Sequence, residues 1–437
     1  MKLNRIIPTC CALGCSVALM AQTSTGTLWS YADCVNYARE HNIELQQSVL
    51  SGESTAYSLE SAKGEWQPSL SFSTTQGYSN QPWSTASKNA YTSNYGLNAS
   101  WTVWDGGQRS ANIKRATTDV ERSQYATTNI QRNLETEILQ LYINILYSTE
   151  AVELNRSAAA VSKAQAERAE EMEKSGRTSK VDLAQLQAQA EQDAYSVVSA
   201  EASRTSQLQQ LKKLLELRYD NSIDIQPVQF SDEEVTAPLP DIAESYSMAV
   251  ATDAQLKYSQ LSTEIADQDI SIAKSSRYPQ IALSAGVGSG YYTTNNGSFG
   301  EQMKQAFNEN VGLTVSVPIF DRKKTSTAVA QARISKLNSQ LDVEARENEL
   351  SQTLESWYTE MQSAQTRFQA AGQQVVAAEL SNDLITRRFE LGYVEVTEML
   401  QGHNTLTSAR HEQLQAKYMA VLARKMVEYL RTQQVTL

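Results

Sequence analysis

Residues 91–104 read YTSNYGLNASWTVW. One alternate set is Tyr91, Ser93, Tyr95, Leu97, Ala99, Trp101 and Val103; the other is Thr92, Asn94, Gly96, Asn98, Ser100 and Thr102. Successive side chains of a strand point to opposite sides, so this is a strand with one apolar and one polar face. The apolar row puts aromatics towards its ends and aliphatics between, the pattern of a strand whose middle meets hydrocarbon and whose rims meet headgroups. The polar row, of small uncharged groups, suits water or a packed lumen.

Three further segments repeat the pattern. In 68–78, Leu70, Phe72 and Thr74 oppose Ser69, Ser71 and Ser73. In 280–292, Ile281, Leu283, Ala285 and Val287 oppose Ala282, Ser284, Gly286 and Gly288. In 311–320, Val311, Leu313, Val315, Val317 and Ile319 oppose Gly312, Thr314, Ser316 and Pro318. The lipid-facing set is therefore Leu70, Phe72, Tyr95, Leu97, Trp101, Val103, Ile281, Leu283, Leu313 and Val315. These make two hairpins, 68–104 and 280–320, with strands of transmembrane length. An open edge in hydrocarbon leaves unpaired backbone groups, so membrane strands close into barrels of about eight or more. Four strands cannot close alone; copies must pool them, and two or three copies both satisfy the count.

The first 21 residues place Lys2 and Arg5 before an apolar run from Ile6 to Met20, which reads as a signal peptide cleaved after Ala21. Ala12-Leu13-Gly14-Cys15 loosely resembles a lipidation box, although apolar residues continue beyond Cys15. Three of the 4 cysteines lie in this segment, leaving Cys34 and no intramolecular disulfide framework. A formal charge of −11 without a basic block argues against a nucleic-acid partner. No segment after residue 21 offers eighteen consecutive apolar residues, so helical membrane spans are not expected.

The remainder is helical in pattern. A first repeat spans 22–230. It holds helices over 28–63 with a break at His41-Asn42, the first hairpin, a long helix 108–175 capped by Asp105, and a return helix 178–217. No Pro or Gly interrupts 108–175, and roughly 68 residues at 1.5 Å give a rod on the order of 100 Å. Its stripe of Leu134, Ile138, Leu141, Ile145 and Val152 is narrow, as suits helices laid side by side in a curtain. A linker, 231–240, follows. The second repeat, 241–437, runs through helices, the hairpin 280–320, a long helix 322–391 and a return helix 395–431.

This arrangement resembles the TolC family of outer-membrane factors over essentially the whole chain after the signal. The likeness rests on the tandem repeat, on the junctions WTVWDGGQRSANIKRA and VSVPIFDRKKTSTAVAQA, and on the tips EKSGRTSKVDLAQLQAQ and RFELGYVEVTEMLQGHNTL. The resemblance implies a mixed α and β membrane protein: a homotrimer giving four strands per chain to a 12-stranded β-barrel, continued by a long α-helical periplasmic barrel. It implies an outer-membrane channel of a tripartite efflux or type I secretion system, with a periplasmic adaptor protein and an inner-membrane pump as partners. The tips at Gly176 and Gly392 would dock those partners through Thr178, Val181, Leu183, Val394, Val396, Met399 and Leu400.

The family's constriction near the tip maps onto Asp182 and Glu398. A second acidic position is Gln401 here, and the tyrosine that would join Asp182 is Phe389, which cannot donate a hydrogen bond. One carboxylate ring, from Glu398, is therefore expected instead of two. The loops 80–90 and 293–308, away from the helices, would lie outside the cell.

No catalytic constellation, cofactor motif or metal-ligand cluster is evident. His403 and His411, eight residues apart, lie about 12 Å apart along a helix, too far to share an ion. The rival reading is a secreted structural coiled-coil protein whose hairpins pair in a soluble sheet. Nothing in the residues identifies the cargo.

Overall fold

The computed structural model describes residues 28–83, 89–435 and 437. The expected signal peptide, the Cys15 box and the tip of the first loop lie outside the described residues. In chain order the elements are β1 (Leu28–Trp29), α1 (Tyr31–His41), α2 (Ile43–Gly64), β2 (Ser69–Asn80), β3 (Asn89–Trp104), α3 (Gln108–Lys174) and α4 (Lys180–Leu214). They continue with β4 (Asp224–Ile225), α5 (Asp232–Thr236), α6 (Ile242–Thr252), α7 (Ala254–Ser275), β5 (Gln280–Tyr292), α8 (Phe299–Gln305), β6 (Asn308–Ser316), α9 (Lys324–Glu390) and α10 (Val396–Thr432).

Side-chain caps explain many of the helix starts. Asn42 ends α1 and its Oδ1 accepts the Leu45 N–H at 3.0 Å, which starts α2 on the spot. Ser179 and Asp182 form a reciprocal capping box at the start of α4, and Asp253 caps α7. The two long helices share a different device. Asp105 is not itself the N-cap residue of α3, which is Gly107 in the left-handed region; the Asp105 carboxylate reaches forward to the Arg109 N–H at 3.0 Å. At α9, Asp321 accepts from the Thr325 N–H at 2.8 Å across Arg322 and Lys323.

The large sheet is antiparallel throughout, in the order β2-β3-β5-β6. Its register stacks like on like. Leu70 and Phe72 pair with Ala99 and Leu97, which pair with Ala285 and Val287, while Leu283 pairs with Leu313 and Ile281 with Val315. On the other face Ser69, Ser100, Ser284 and Gly312 form one row. A register shift between Thr102 and Trp104 leaves Val103 unpaired, so Trp104 takes the place opposite Ile281. That corrects the simple alternation expected at this strand end.

Two other expectations are corrected. The fourth strand was expected over 311–320, but it runs Asn308–Ser316 because Pro318 has no N–H to give a ladder; Val317, Ile319 and Phe320 lie beyond it. The second loop holds α8, whose Ser298–Glu301 capping box fixes its start. The linker 231–240 likewise contains α5, capped by Ser231 and Glu234.

The main apolar cluster lies at mid-height of the long helices, not along their length. Ile138, Leu139, Tyr142, Ile143 and Ile145 of α3 are buried there with Cys34 of α1, Leu211 of α4, Ile225 of β4 and Phe230. Tyr418 and Leu422 of α10 join them. The Tyr142 hydroxyl donates to the carbonyls of Trp29 and Gln226 at 3.2 and 2.9 Å, tying the parallel β1–β4 pair to the rod. The narrow stripe of α3 is therefore a local core where other elements wrap it. Nearer the tip, small residues such as Ala166 and Ala169 take over.

Candidate functional site

The sheet presents an apolar face that none of the described residues covers. Leu70, Phe72, Val311 and Leu313 are 65% or more exposed, and Leu97, Trp101 and Val315 are exposed beside them. Such a continuous patch marks a surface that meets lipid or another chain. Tyr78, Tyr91 and Tyr292 lie towards the loop end of the sheet, while Trp66, Trp101, Trp104 and Tyr278 lie towards the helix end. The opposite face is lined by small groups. At Gly286 a side chain would run into Asn310 and Asn98, and at Gly290 into Asn94, so these glycines leave room for a layer of asparagine amides.

At the junction of sheet and helix, Arg109 is buried. Its Nε donates to Asp105 Oδ2 at 2.8 Å, Nη1 to the Glu65 carbonyl at 3.2 Å, and its guanidinium lies 4.4 Å over the Trp66 ring. Gly106 and Gly107 have φ of +69° and +89°, turning the strand into the helix.

The two tips have the same construction. Arg177 N–H donates to the Met172 carbonyl at 2.8 Å and Gly176 N–H to that of Glu173 at 2.9 Å; Tyr393 and Gly392 donate likewise to Arg388 and Phe389, both at 2.9 Å. These are Schellman turns around glycines at φ +71° and +77°. Turn geometry alone therefore accounts for Gly176 and Gly392.

The candidate docking residues divide. Val181 is 65% exposed and Val394 half-buried. Val396 and Met399 are buried against Ala166, Ala169 and Leu186, with Leu183, Leu400 and Phe389 packed around them. Within this chain they join hairpin to hairpin. Leu391 and Tyr393 flank Gly392 and are 70% and 73% exposed. Leu391 precedes Gly392 and Tyr393 follows it, so an apolar residue on each side of a turn glycine is the signal the sequence offers.

Among the constriction candidates, Thr178 donates to Asp182 at 3.2 Å and Ser179 N–H donates to it at 3.2 Å. The Ser179 hydroxyl bond, with these, outweighs a slight burial and holds the Asp182 carboxyl below the usual range. Asp182 is thus committed to capping α4. Glu398 is exposed, with Arg388 Nη1 3.9 Å away. Gln401 faces an open groove of about 820 Å³ lined by uncharged Gln185, Gln189, Asn404 and Thr405.

The family described as outer membrane efflux protein matches residues 34–216 and again 245–427, so both halves match the same pattern. The chain belongs to the outer membrane efflux protein family. Its place is the outer membrane, as in its relatives. It is 21% identical to outer membrane protein TolC of Vibrio cholerae over 92% of this chain and 90% of that one. It is 20% identical to outer membrane efflux protein BepC of Brucella suis, over 76% and 70%. In fold it is similar to the outer membrane protein VceC of Vibrio cholerae, with a TM-score of 0.77, 16% identity and coverage of 92% and 96%.

Proposed function

We propose that this efflux protein is the outer-membrane channel of a tripartite efflux or type I secretion system, a passive gated duct from an inner-membrane pump and periplasmic adaptor to the outside. The observation that carries the reading is the pair of open sheet edges. Among the described residues, strands β2 and β6 each have one unpaired side, and the apolar face they bound is exposed. Unpaired backbone is not tolerated in hydrocarbon, so another sheet must complete each edge. With four alternating strands, β6 of one copy runs antiparallel to β2 of the next, and a ring of copies closes with no odd strand.

The helices support the same neighbour. Strand β2 continues from α2, and β6 leads into α9. Val49, Leu50 and Tyr57 on α2 are exposed, as are Ile334, Leu337 and Leu341 on α9. Each lateral edge thus offers an open strand together with exposed apolar helix residues, and one neighbouring copy covers both at once. Three copies make a twelve-stranded barrel over a helical tunnel, with each chain as two tandem repeats. Leu391, Tyr393, Val181 and Val394 at the tips then face the adaptor and pump.

Planar-bilayer recording of detergent-purified protein tests this, with an unheated gel for subunit number. Defined conductance steps from a heat-dissociable trimer are expected. A monomer that stays in solution without detergent would overturn the reading in favour of a secreted coiled coil.

A further inference from the structure

A buried polar layer crosses the tip between two apolar ones. Along α10, Val396, Met399 and Leu400 belong to the cluster nearest the turn, and Leu406 and Ala409 to the next. Gly402, His403 and Asn404 lie between them. His403 and Asp193 are 4% and 8% exposed, and His403 Nε2 is 2.9 Å from Asp193 Oδ2. A carboxylate can only accept, so Nε2 carries the hydrogen. Gln189 Nε2 extends the layer towards solvent, donating to Asp193 Oδ1 at 2.9 Å and to Oδ1 of the exposed Asn404 at 3.2 Å.

These contacts join α4 to α10, which belong to different tip hairpins: α3 with α4, and α9 with α10. Nearer the turn the hairpins meet through Leu186, Val396, Met399 and their small neighbours, which slide without strong directional preference, and through the largely exposed Arg168–Glu390 ion pair, which contributes little because water screens it. A buried hydrogen-bonded pair is different, because it is satisfied in one register only.

We propose that Asp193 and His403 form a pin between the two tip hairpins, so that the inner end of the duct widens only when this contact breaks. They are positioning residues, and the proposal rests on the duct reading above. The test uses the full-length assembled protein, with Asp193→Asn, His403→Gln and the swapped double variant D193H/H403D. Hydrogen exchange of amides in α4 and α10 around residues 186–193 and 399–406 is read alongside bilayer conductance.

Each single variant is expected to speed that local exchange about tenfold, the effect of losing a charge-assisted bond, and to raise open-state occupancy. The swap is expected to restore both, which a merely destabilised tip would not do. Unchanged exchange in the single variants, or no recovery in the swap, overturns the pin. If exchange responds and recovers but wild-type protein forms no channel, the hairpin contact stands and its gating role falls with the duct reading.

Discussion

Arg109 donates its Nε–H to Asp105 across 2.8 Å, four residues back along the chain, at the point where the four-stranded sheet gives way to the helical rod. Both side chains are nearly excluded from solvent, and the Trp66 ring covers the guanidinium. Removing either partner leaves the other uncompensated, so Arg109→Ala or Asp105→Ala should cost about 3 kcal/mol. Burial pushes the Asp105 carboxyl up, yet bonds from the Arg109 backbone and side chain, its charge and the Gly107 N–H outweigh this and leave its pKa below the usual value. A depressed carboxylate stabilises fully above its unfolded pKa of about 4 and loses that contribution as pH falls through the folded value. Thermal unfolding in detergent is therefore expected to separate wild type from Asp105→Asn at pH 7 and to bring them together on acidification below about pH 4.

That junction also shows what a sequence discloses and what it withholds. The alternation in 91–104 and its three partners made the sheet legible, because period-two patterning is a local property of each strand. The bulge at Val103 was not legible, since it depends on how β5 meets β3. The turn glycines and the caps at Asn42 and Ser179 could be read from residue type alone. Burial of Val396 and Met399 could not, because it is decided by α3 and α4, more than two hundred residues away. His403 carries no such local signal, because its carboxylate partner sits 210 residues earlier and no spacing rule reaches that far.

At the rod's mid-height Glu135 gathers three elements. Its Oε1 accepts from Arg39 at 2.7 Å and Gln131 at 2.8 Å, and its Oε2 from the Tyr429 hydroxyl at 3.1 Å. Burial, and then the Glu135 charge, push the Tyr429 hydroxyl far above its usual pKa, so it remains a donor. Tyr429→Phe is expected to cost about 1 kcal/mol and Glu135→Ala about 2 to 3 kcal/mol. Because the two share one bond, the double variant should cost less than the sum; strict additivity in urea unfolding would count against the coupling.

In the assembled channel, Glu398 side chains from several copies are proposed to form one carboxylate ring near the tip. Arg388 Nη1, 3.9 Å from Glu398 Oε1, offsets part of that charge within each chain. Multivalent cations concentrate where like charges converge. Block by a trivalent cation in bilayer recordings should weaken by about tenfold or more in Glu398→Ala and strengthen in Arg388→Ala. Equal block in both variants and wild type would remove Glu398 from the constriction.

The strand-to-helix turns offer a comparison between neighbouring positions. Gly106 and Gly107 both have positive φ, but a Cβ on Gly106 would lie 2.7 Å from the Ser275 carbonyl oxygen and 2.7 Å from Tyr278 Cβ, whereas one on Gly107 would meet nothing within 4 Å. Gly107→Ala therefore costs only the left-handed backbone penalty of about 1 to 2 kcal/mol. Gly106→Ala adds a collision with the backbone of the α7 end, which cannot give way without shifting the neighbouring strand β5. The corresponding turn before α9 has Arg322 and Lys323 at φ +54° and +68°, so there the penalty is already present. Lys323→Gly is expected to raise stability by up to about 1 kcal/mol. The three variants should rank Lys323→Gly above wild type, Gly107→Ala below it and Gly106→Ala lowest in thermal midpoint; Gly106→Ala matching Gly107→Ala would show that the α7 end yields.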